Sequence, residues 1–278
     1  MQTILVPVDF SSTSYNAAKY AIELAAQLNA SKIILYNAYE LPVMANGGLT
    51  APIMIDLDEL KENSTKALQK MQEKLLAENK HPSLQIETLS DYNTVMNGVK
   101  HAVKTLDAKL IIMGITGSSA IEQSLIGSNT IDVAKEANVP VIIIPPNAVF
   151  RSIQNTFLAC SLQGLNENLP HTNIVDFLQK SKSNFGIVHI EKDLNKKYND
   201  QDFLNTTVDS LFKMFNTKHQ VVYNPDFVEG INHFIDNNKV DLLIVIPKKH
   251  GFFDRLFNKS HTKMLAFHSH VPLMVIHD

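Results

Sequence analysis

Three glycines followed by a serine are the residues most able to contact a phosphate group. The pattern Gly114-x2-Gly117-x9-Gly127-Ser128 follows a continuous apolar run and leads into an amphipathic segment. Glycine has no Cβ, so backbone amides can approach an anion closely, and a helix N-terminus adds the positive end of its dipole. We therefore expect Gly127, Ser128 and Asn129 to present unpaired amides to a phosphate.

A carboxylate stands at the end of the first apolar run, in Pro7-Val8-Asp9. Asp9 could accept hydrogen bonds from a ribose hydroxyl or an exocyclic amine. It could also cap the helix predicted to begin near Ser11, a role for which Ser11 and Ser12 compete. Ser128 has the same ambiguity, because a serine at the start of a helix can act as a cap without any ligand.

The spacing of apolar residues shows which elements must position these groups. Short runs rich in β-branched residues predict strands at residues 4–8, 32–39, 84–89, 110–113 and 139–145. Amphipathic spacing predicts helices at residues 11–28, 57–76, 93–106 and 129–135. Strands that alternate with helices run parallel, because each helix supplies a crossover, and they form a doubly wound α/β sheet. Ligands of such sheets bind beyond the carboxyl ends of the strands, where both motifs lie.

A second set of elements follows the paired prolines at residues 145–146. Strands are predicted at residues 157–160, 185–190, 219–223, 242–246 and 271–276, and helices at residues 174–180, 203–215, 228–235 and 263–267. Residues 110–113 and 139–144 match residues 242–245 and 271–276 without a gap, at an offset of 132 positions. This self-similarity predicts a tandem repeat of one domain.

The repeat predicts two tandem doubly wound domains, residues 1–148 and 153–278, each with a five-stranded parallel sheet. At the offset of 132, the three glycines and the serine are replaced by Ile246, Lys249, Lys259 and Ser260. Aligning residues 157–161 with residues 4–8 places Leu162 at the position of Asp9. Because a Cβ at former glycine positions obstructs a close backbone approach, we interpret the second domain as a degenerate copy without a binding site.

Composition limits the class of protein. With 45% hydrophobic and 19% charged residues, the 278-residue chain can bury a core, which excludes a disordered or fibrous protein. A net charge of −3 and a pI near 6.4 argue against a general affinity for nucleic acid or anionic membranes. No apolar run could cross a bilayer, no export signal opens the sequence, and the single Cys160 fits a reducing compartment, so we expect a cytoplasmic protein.

Residues 4–11, ILVPVDFS, together with the glycine pattern resemble the universal stress protein family in its ATP-binding branch. The resemblance covers residues 1–146 and, more faintly, residues 155–277. It implies that the first domain binds ATP or another adenine nucleotide, with Mg²⁺ as a candidate companion ion. The site residues that it implies are Pro7, Val8, Asp9, Ala38, Met113, Gly114, Gly117, Gly127, Ser128 and Asn129.

The resemblance also assigns roles and a mode of association. The first-strand residues and Ala38 would hold adenine and ribose, and the residues of the glycine pattern would hold ribose and phosphates. Members often carry a basic residue or a further glycine where this chain has Ser118-Ser119-Ala120, and no cation occurs in residues 118–126. Members commonly dimerise through their last strands, which predicts pairing of the two domains within this chain and leaves a homodimer open.

Three functions remain open, of which a nucleotide-binding stress or signalling protein is favoured. An adenine-nucleotide α-hydrolase would need a Ser-Gly-Gly-x-Asp-Ser loop after the first strand, whereas this chain has Asp9-Phe10-Ser11-Ser12. Without a Walker A lysine, an early G-x-G-x-x-G or an evident general base, we expect at most slow ATP hydrolysis. The third function is a nucleotide-independent scaffold that acts through the aromatic loop at residues 252–257 or the flap at residues 41–56.

The C-terminal histidines raise the question of a metal site. His268 and His270 lie near His261 and His277, but no cysteine or carboxylate is at ligand spacing around them. We therefore predict no metal ligands in this chain.

Overall fold

Within the residues that the structure describes, ten strands form one continuous sheet. This computed structural model describes residues 2–41, 56–115, 127–160, 169–197, 211–247 and 270–277. The strands are β1 (Thr3–Pro7), β2 (Lys32–Tyr39), β3 (Gln85–Tyr92), β4 (Ala108–Gly114), β5 (Val141–Ile144), β6 (Asn155–Cys160), β7 (Asn184–Glu191), β8 (Lys218–Tyr223), β9 (Leu242–Val245) and β10 (Leu273–Val275). The described helices are α1 (Ser12–Gln27), α2 (Leu57–Glu78), α3 (Val95–Thr105), α4 (Ser128–Glu136), α5 (His171–Ser181) and α6 (Phe227–Asn237).

Both halves of the sheet have the same strand order, and the whole reads β3-β2-β1-β4-β5-β10-β9-β6-β7-β8. Neighbouring strands run parallel within each half, and the halves meet through the antiparallel pair β5 and β10. Apolar residues of α1, α2 and α5 belong to the core on one face, and those of α3, α4 and α6 to the core on the other. The prediction of two doubly wound parallel sheets is confirmed, and the two are joined edge to edge.

The predicted elements agree with the described ones apart from their ends. Strand β3 extends to Tyr92, beyond the predicted residue 89, and a short 3-10 helix occupies Lys213–Phe215. The rest of the helix predicted at residues 203–215 falls largely outside the described residues, and the helix predicted at residues 263–267 does so entirely. Among the described helices, none combines the length and apolar character that crossing a membrane requires.

The antiparallel pair at the centre of the sheet has the geometry of a local two-fold axis. Ile142 of β5 lies opposite Met274 of β10, and these residues correspond to each other at the offset of 132. The flanking pairs are reciprocal: Ile143 with Leu273, and Val141 with Val275. Two copies of one domain would form a self-complementary contact of this kind. The last strands of the two halves therefore pair within one chain as two equivalent subunits would.

Strand register supports the repeat alignment for the later strands. Met113 of β4 lies opposite Ile143 of β5, and Val245 of β9 lies opposite Val275 of β10. Both members of the second pair stand 132 positions after their counterparts. The offset read from the sequence is therefore preserved in three dimensions.

Register corrects the alignment of the first strands. Ile4 lies opposite Leu110, whereas Leu242, the counterpart of Leu110, lies opposite Thr156. Ile4 therefore corresponds to Thr156, and the alignment that matched residue 157 to residue 4 is wrong by one position. Counting from Thr156, the position of Asp9 falls on residue 161 rather than 162, and both of these lie outside the described residues.

Side chains of the first half hold the segment that connects β5 to β6. Gln27 donates through Nε2 to the carbonyl oxygens of Ile153 and Ser181, at 2.9 Å each, and its Oε1 accepts from the amide of Ile153 at 2.9 Å. The rings of Tyr20 and Phe150 meet edge to face, with centroids 5.0 Å apart. These contacts fix the path of the chain from one half to the other.

The turn between β1 and α1 contains a residue in the left-handed conformation. Phe10 has a φ of 64°, at which the Cβ of an L-residue crowds the backbone. Ser11 caps α1, because its side chain accepts a hydrogen bond from the amide of Ser14. Oδ1 of Asp9 accepts from the amide of Ser11 at 3.2 Å and from its hydroxyl at 2.6 Å. The residue that caps α1 is therefore Ser11 and not Asp9. The turn leaves Asp9 at the carboxyl edge of the sheet.

Replacing Gln27 by alanine should lower the free energy of unfolding by about 2 kcal/mol, because three backbone groups lose their partner. Urea denaturation measures the change. Gln179→Ala is the matched control, since Gln179 is an exposed residue of α5, and it should alter stability by less than about 0.5 kcal/mol. Equal losses in the two variants would contradict the role given to Gln27.

Phe10→Gly should be more stable than Phe10→Ala by about 1 kcal/mol, because both lose the ring but only glycine accepts a positive φ without strain. Thermal denaturation of the two variants compares them directly. The same pair of substitutions at Tyr92, an exposed residue with ordinary strand geometry, should instead favour alanine. Alanine being the better residue at both positions would show that Phe10 is not strained.

Candidate functional site

The order of the strands creates a crevice between β1 and β4. The helix that follows β1 packs on one face of the sheet and the helix that follows β4 packs on the other, so the two connections diverge. Parallel sheets bind ligands at such switch points. A cavity of about 310 Å³ lies at this place in the first half. Its described lining comprises Pro7, Val8, Asp9, Ser14, Tyr36, Asn37, Ala38, Glu40, Val95, Met113, Gly114, Gly127, Ser128, Asn129 and Thr130.

The structure brings the predicted site residues together. Nine of the ten line this cavity: Pro7, Val8, Asp9, Ala38, Met113, Gly114, Gly127, Ser128 and Asn129. The tenth, Gly117, lies outside the described residues. Sequence reasoning missed the lining residues Ser14, Tyr36, Asn37, Glu40, Val95 and Thr130. One signal was available, because Asn37 is a polar residue near the end of an otherwise largely apolar strand.

The first turn of α4 closes one side of the cavity. The first backbone bond within the helix runs from the amide of Ile131 to the carbonyl of Gly127, so the amides of Ser128, Asn129 and Thr130 precede it. The N-cap residue, Gly127, has no side chain with which to cap this helix end. An anion in the cavity would meet the amides of the first turn and the positive end of the helix dipole.

Gly127 departs from the prediction in one respect. Its amide donates to the carbonyl of Ile115 at 2.8 Å, so it is already engaged within the protein. The prediction of an unpaired amide is therefore wrong for Gly127, because the chain enters α4 by bonding back to the end of β4. Gly127 still serves as the N-cap residue, and the amides of Ser128 and Asn129 remain the candidate phosphate donors.

Gly114 ends β4 and has a structural reason to be glycine. A Cβ at this position would lie 2.8 Å from Cγ2 of Thr13 and 3.1 Å from its carbonyl oxygen. The carbonyl of Gly114 accepts a hydrogen bond from Oγ1 of Thr130 at 3.0 Å. Close packing of β4 against the start of α1 therefore requires glycine here, independently of any ligand, and Thr130 ties α4 to the same strand end.

A chain of buried and partly buried hydrogen bonds holds the end of β1. Nδ2 of Asn37 donates to the carbonyl of Val8 at 2.7 Å, and the amide of Val8 donates to the carbonyl of Tyr36 at 2.8 Å. Oγ of Ser64 donates to Oδ1 of Asn37 at 2.8 Å, and Oγ of Ser90 donates to Oγ of Ser64 at 2.6 Å. Both main-chain groups of Val8 are engaged, so this residue offers the cavity its apolar side chain.

Ala38 presents main-chain groups to the cavity. Along a strand of a parallel sheet, the N–H and C=O of one residue point to the same side, and successive residues alternate. The carbonyl of Tyr36 faces β1, because it accepts from Val8, and that of Tyr39 faces β3, because it accepts from Asn93 at 3.1 Å. The amide and carbonyl of Ala38 therefore point to the β1 side. They lie two residues beyond the end of the ladder between β1 and β2. Its amide and carbonyl form a donor and acceptor pair at the cavity wall.

Tyr36 forms part of the same wall and stays neutral. Its side chain is buried, and its hydroxyl donates to Oδ2 of Asp91 at 3.0 Å. Burial, and then the negative charge of Asp91, raises the pKa of Tyr36 above its ordinary value, so the phenol remains protonated at neutral pH. Gly98 of α3 makes room for this hydroxyl, because a Cβ there would overlap the Tyr36 oxygen.

The charged side chains in the described lining are both acidic, Asp9 and Glu40. A carboxylate accepts hydrogen bonds from ribose hydroxyls, but it repels phosphate groups. Among the described residues, the attraction for an anion therefore comes from the main chain at the start of α4. The arrangement suits a ligand with a flat polar edge, hydroxyl groups and a negatively charged end.

One position of the corresponding edge in the second half is described. Ile246, at the position of Gly114, is 7% exposed and belongs to the apolar core. The counterparts of the other motif residues, Lys249, Lys259 and Ser260, lie outside the described residues, as do the aromatic loop at residues 252–257 and residues 42–55 of the flap.

The histidines considered for a metal site are only partly described. His261 and His268 lie outside the described residues. Nε2 of His277 donates to the carbonyl of Ala134 at 2.6 Å, which links the end of the chain to α4. In the described part of the chain, no three histidine, cysteine or acidic side chains are grouped as metal ligands would be.

Comparison with known proteins identifies the family. The model of the universal stress protein family matches residues 1–145. A universal stress protein of Methanocaldococcus jannaschii is 33% identical over 143 residues, which are 51% of this chain and 80% of that protein. Universal stress protein YxiE of Bacillus subtilis is 25% identical over 144 residues, which are 51% of this chain and 97% of that protein.

A solved structure extends the likeness in fold to the whole chain. A universal stress protein from Archaeoglobus fulgidus superposes with a TM-score of 0.68 at 17% identity, over 99% of this chain and 96% of that one. At this identity the likeness concerns the fold alone. Because the family match covers more than half of the 278 residues, the chain belongs to the universal stress protein family.

Proposed function

We propose that the first half of this chain binds one adenine nucleotide, ATP or a relative of it, and that the bound state serves a stress-response or signalling role. The observation that carries the proposal is the convergence of nine predicted residues on one cavity at a switch point of the sheet. The cavity volume, about 310 Å³, lies at the lower end of the range for small-molecule sites, about 300–1000 Å³.

The main chain of Ala38 supports adenine as the base. The Watson–Crick edge of adenine carries an acceptor, N1, beside a donor, the N6 amine. The amide and carbonyl of Ala38 supply the complementary donor and acceptor beyond the end of β1. Hypoxanthine has the reverse pattern, with a proton on N1 and an oxygen at position 6, and would leave both groups of Ala38 unsatisfied.

Asp9 and the start of α4 support the rest of the nucleotide. The carboxylate of Asp9 can accept from ribose hydroxyls, and the amides of Ser128 and Asn129 can donate to a phosphate. The replacement of the motif glycines by Ile246, Lys249 and Lys259 argues against a second site at the equivalent edge. The proposal therefore assigns one nucleotide to each chain.

Titration calorimetry of nucleotide-free protein with ATP in excess Mg²⁺ tests the proposal directly. We expect a single site per chain, and ligand at a hundred times its Kd should raise the free energy of unfolding by about 2.7 kcal/mol. Two sites would show that the second half is not degenerate. An absence of binding would favour the scaffold function that acts without a nucleotide.

ATP should bind at least about tenfold more tightly than inosine triphosphate, because the inosine base leaves the donor and acceptor of Ala38 unpaired. Parallel titrations in the same buffer measure the ratio. Ribose and phosphates are identical in the two ligands, so each serves as the other's control for contacts outside the base. Equal affinities would show that Ala38 does not read the base.

A further inference from the structure

The charge of the candidate nucleotide cavity has the same sign as a polyphosphate. Asp9 and Glu40 are the charged side chains in its described lining, and both are acidic. Glu40 directly follows β2, and its side chain is exposed. Asp9 is held at the cavity by its hydrogen bonds to Ser11.

The connecting segments next to the cavity in sequence bring no positive charge. Residues 42–55, which follow Leu41, and residues 116–126, which join β4 to α4, contain no lysine, arginine or histidine. Residues 116–126 add one further acid, Glu122. Neither segment can therefore neutralise a phosphate through a cationic side chain.

In the described part of the chain, the attraction for a phosphate comes from one helix end. The N-terminus of α4 carries the equivalent of about half a positive charge, with the amides of Ser128 and Asn129 as donors. This suits a single phosphate group. Each further phosphate adds negative charge to a cavity whose charged described side chains, Asp9 and Glu40, are both acidic, and like charges repel.

We propose that this cavity selects its adenine ligand by phosphate charge, with Glu40 as a specificity-determining residue. The inference rests on the proposed function and names its ligand class. The site takes an adenine nucleotide with one phosphate group in preference to metal-free ATP. It takes ATP as a complex with a divalent cation, which cancels part of the charge.

Titrations with AMP and with ATP, each in chelator and in excess Mg²⁺, test the charge selection. In chelator, the Kd of ATP should exceed that of AMP by about five- to tenfold, because three phosphates meet two carboxylates. Mg²⁺ should bring the two values within about twofold of each other. Raising the salt concentration in chelator should also reduce the difference between the Kd values of ATP and AMP, since screening weakens the repulsion between phosphates and carboxylates.

Glu40→Gln isolates the contribution of one carboxylate without a large change of shape. It should lower the Kd of metal-free ATP by about threefold and leave the Kd of adenosine unchanged. Glu73→Gln is the matched control, because Glu73 is an exposed acid on α2 outside the cavity lining, and it should change neither value.

Two outcomes would overturn the inference alone. Metal-free ATP binding as tightly as AMP would show that charge does not select the ligand, and an unchanged ratio of ATP to AMP affinity in Glu40→Gln would remove Glu40 from that role. Both results leave adenine binding in place. If adenosine, AMP and ATP all fail to bind under every condition, the proposed function fails and this inference fails with it.

Discussion

The antiparallel contact between β5 and β10 is the interaction on which the rest of the molecule depends. Each of these short strands would be an open edge if its half stood alone, with unpaired backbone groups that favour association with other chains. Their pairing joins the halves into one sheet, and each of the two apolar cores contains residues from both halves. The two halves therefore share one sheet and both apolar cores.

Main-chain groups, rather than side chains, provide most of the chemistry of the candidate site. Ala38 contributes its amide and carbonyl, and Ser128 and Asn129 contribute the amides of a helix end. Such groups have fixed positions only if the strand and helix ends are held firmly. The buried chain from Ser90 through Ser64 and Asn37 to the carbonyl of Val8 links β3, α2, β2 and β1 and holds those ends.

Much of this arrangement could be predicted from the sequence, because apolar periodicity and glycine spacing report directly on local structure. Strand and helix order, and the convergence of Asp9 with the α4 residues, follow from such patterns. The engaged amide of Gly127 could not be predicted, since its bond to Ile115 depends on the path of a connection that no periodicity describes. The alternation of residue types along β2 could not show that Tyr36 borders the cavity or that its hydroxyl reaches Asp91.

The one-residue error at β6 has a physical origin of the same kind. An apolar run can slide by one position with little change in composition, and only pairing with a neighbour fixes its register. β1 also has an irregularity between Thr3 and Ile4 against β4, which breaks the simple count from one end of the strand. Sequence similarity alone is therefore a weak guide to register in the most divergent part of the repeat.

The local two-fold axis at Ile142 and Met274 also bears on whether the final strands of this chain are open to other chains. Separate one-domain proteins that associate through equivalent final strands can exchange subunits and form mixed pairs. Here each final strand already has a covalently tethered partner at very high effective concentration, so a free relative competes poorly for that edge. Fusion of the two copies thus keeps the half that carries the candidate site next to the same companion at all times.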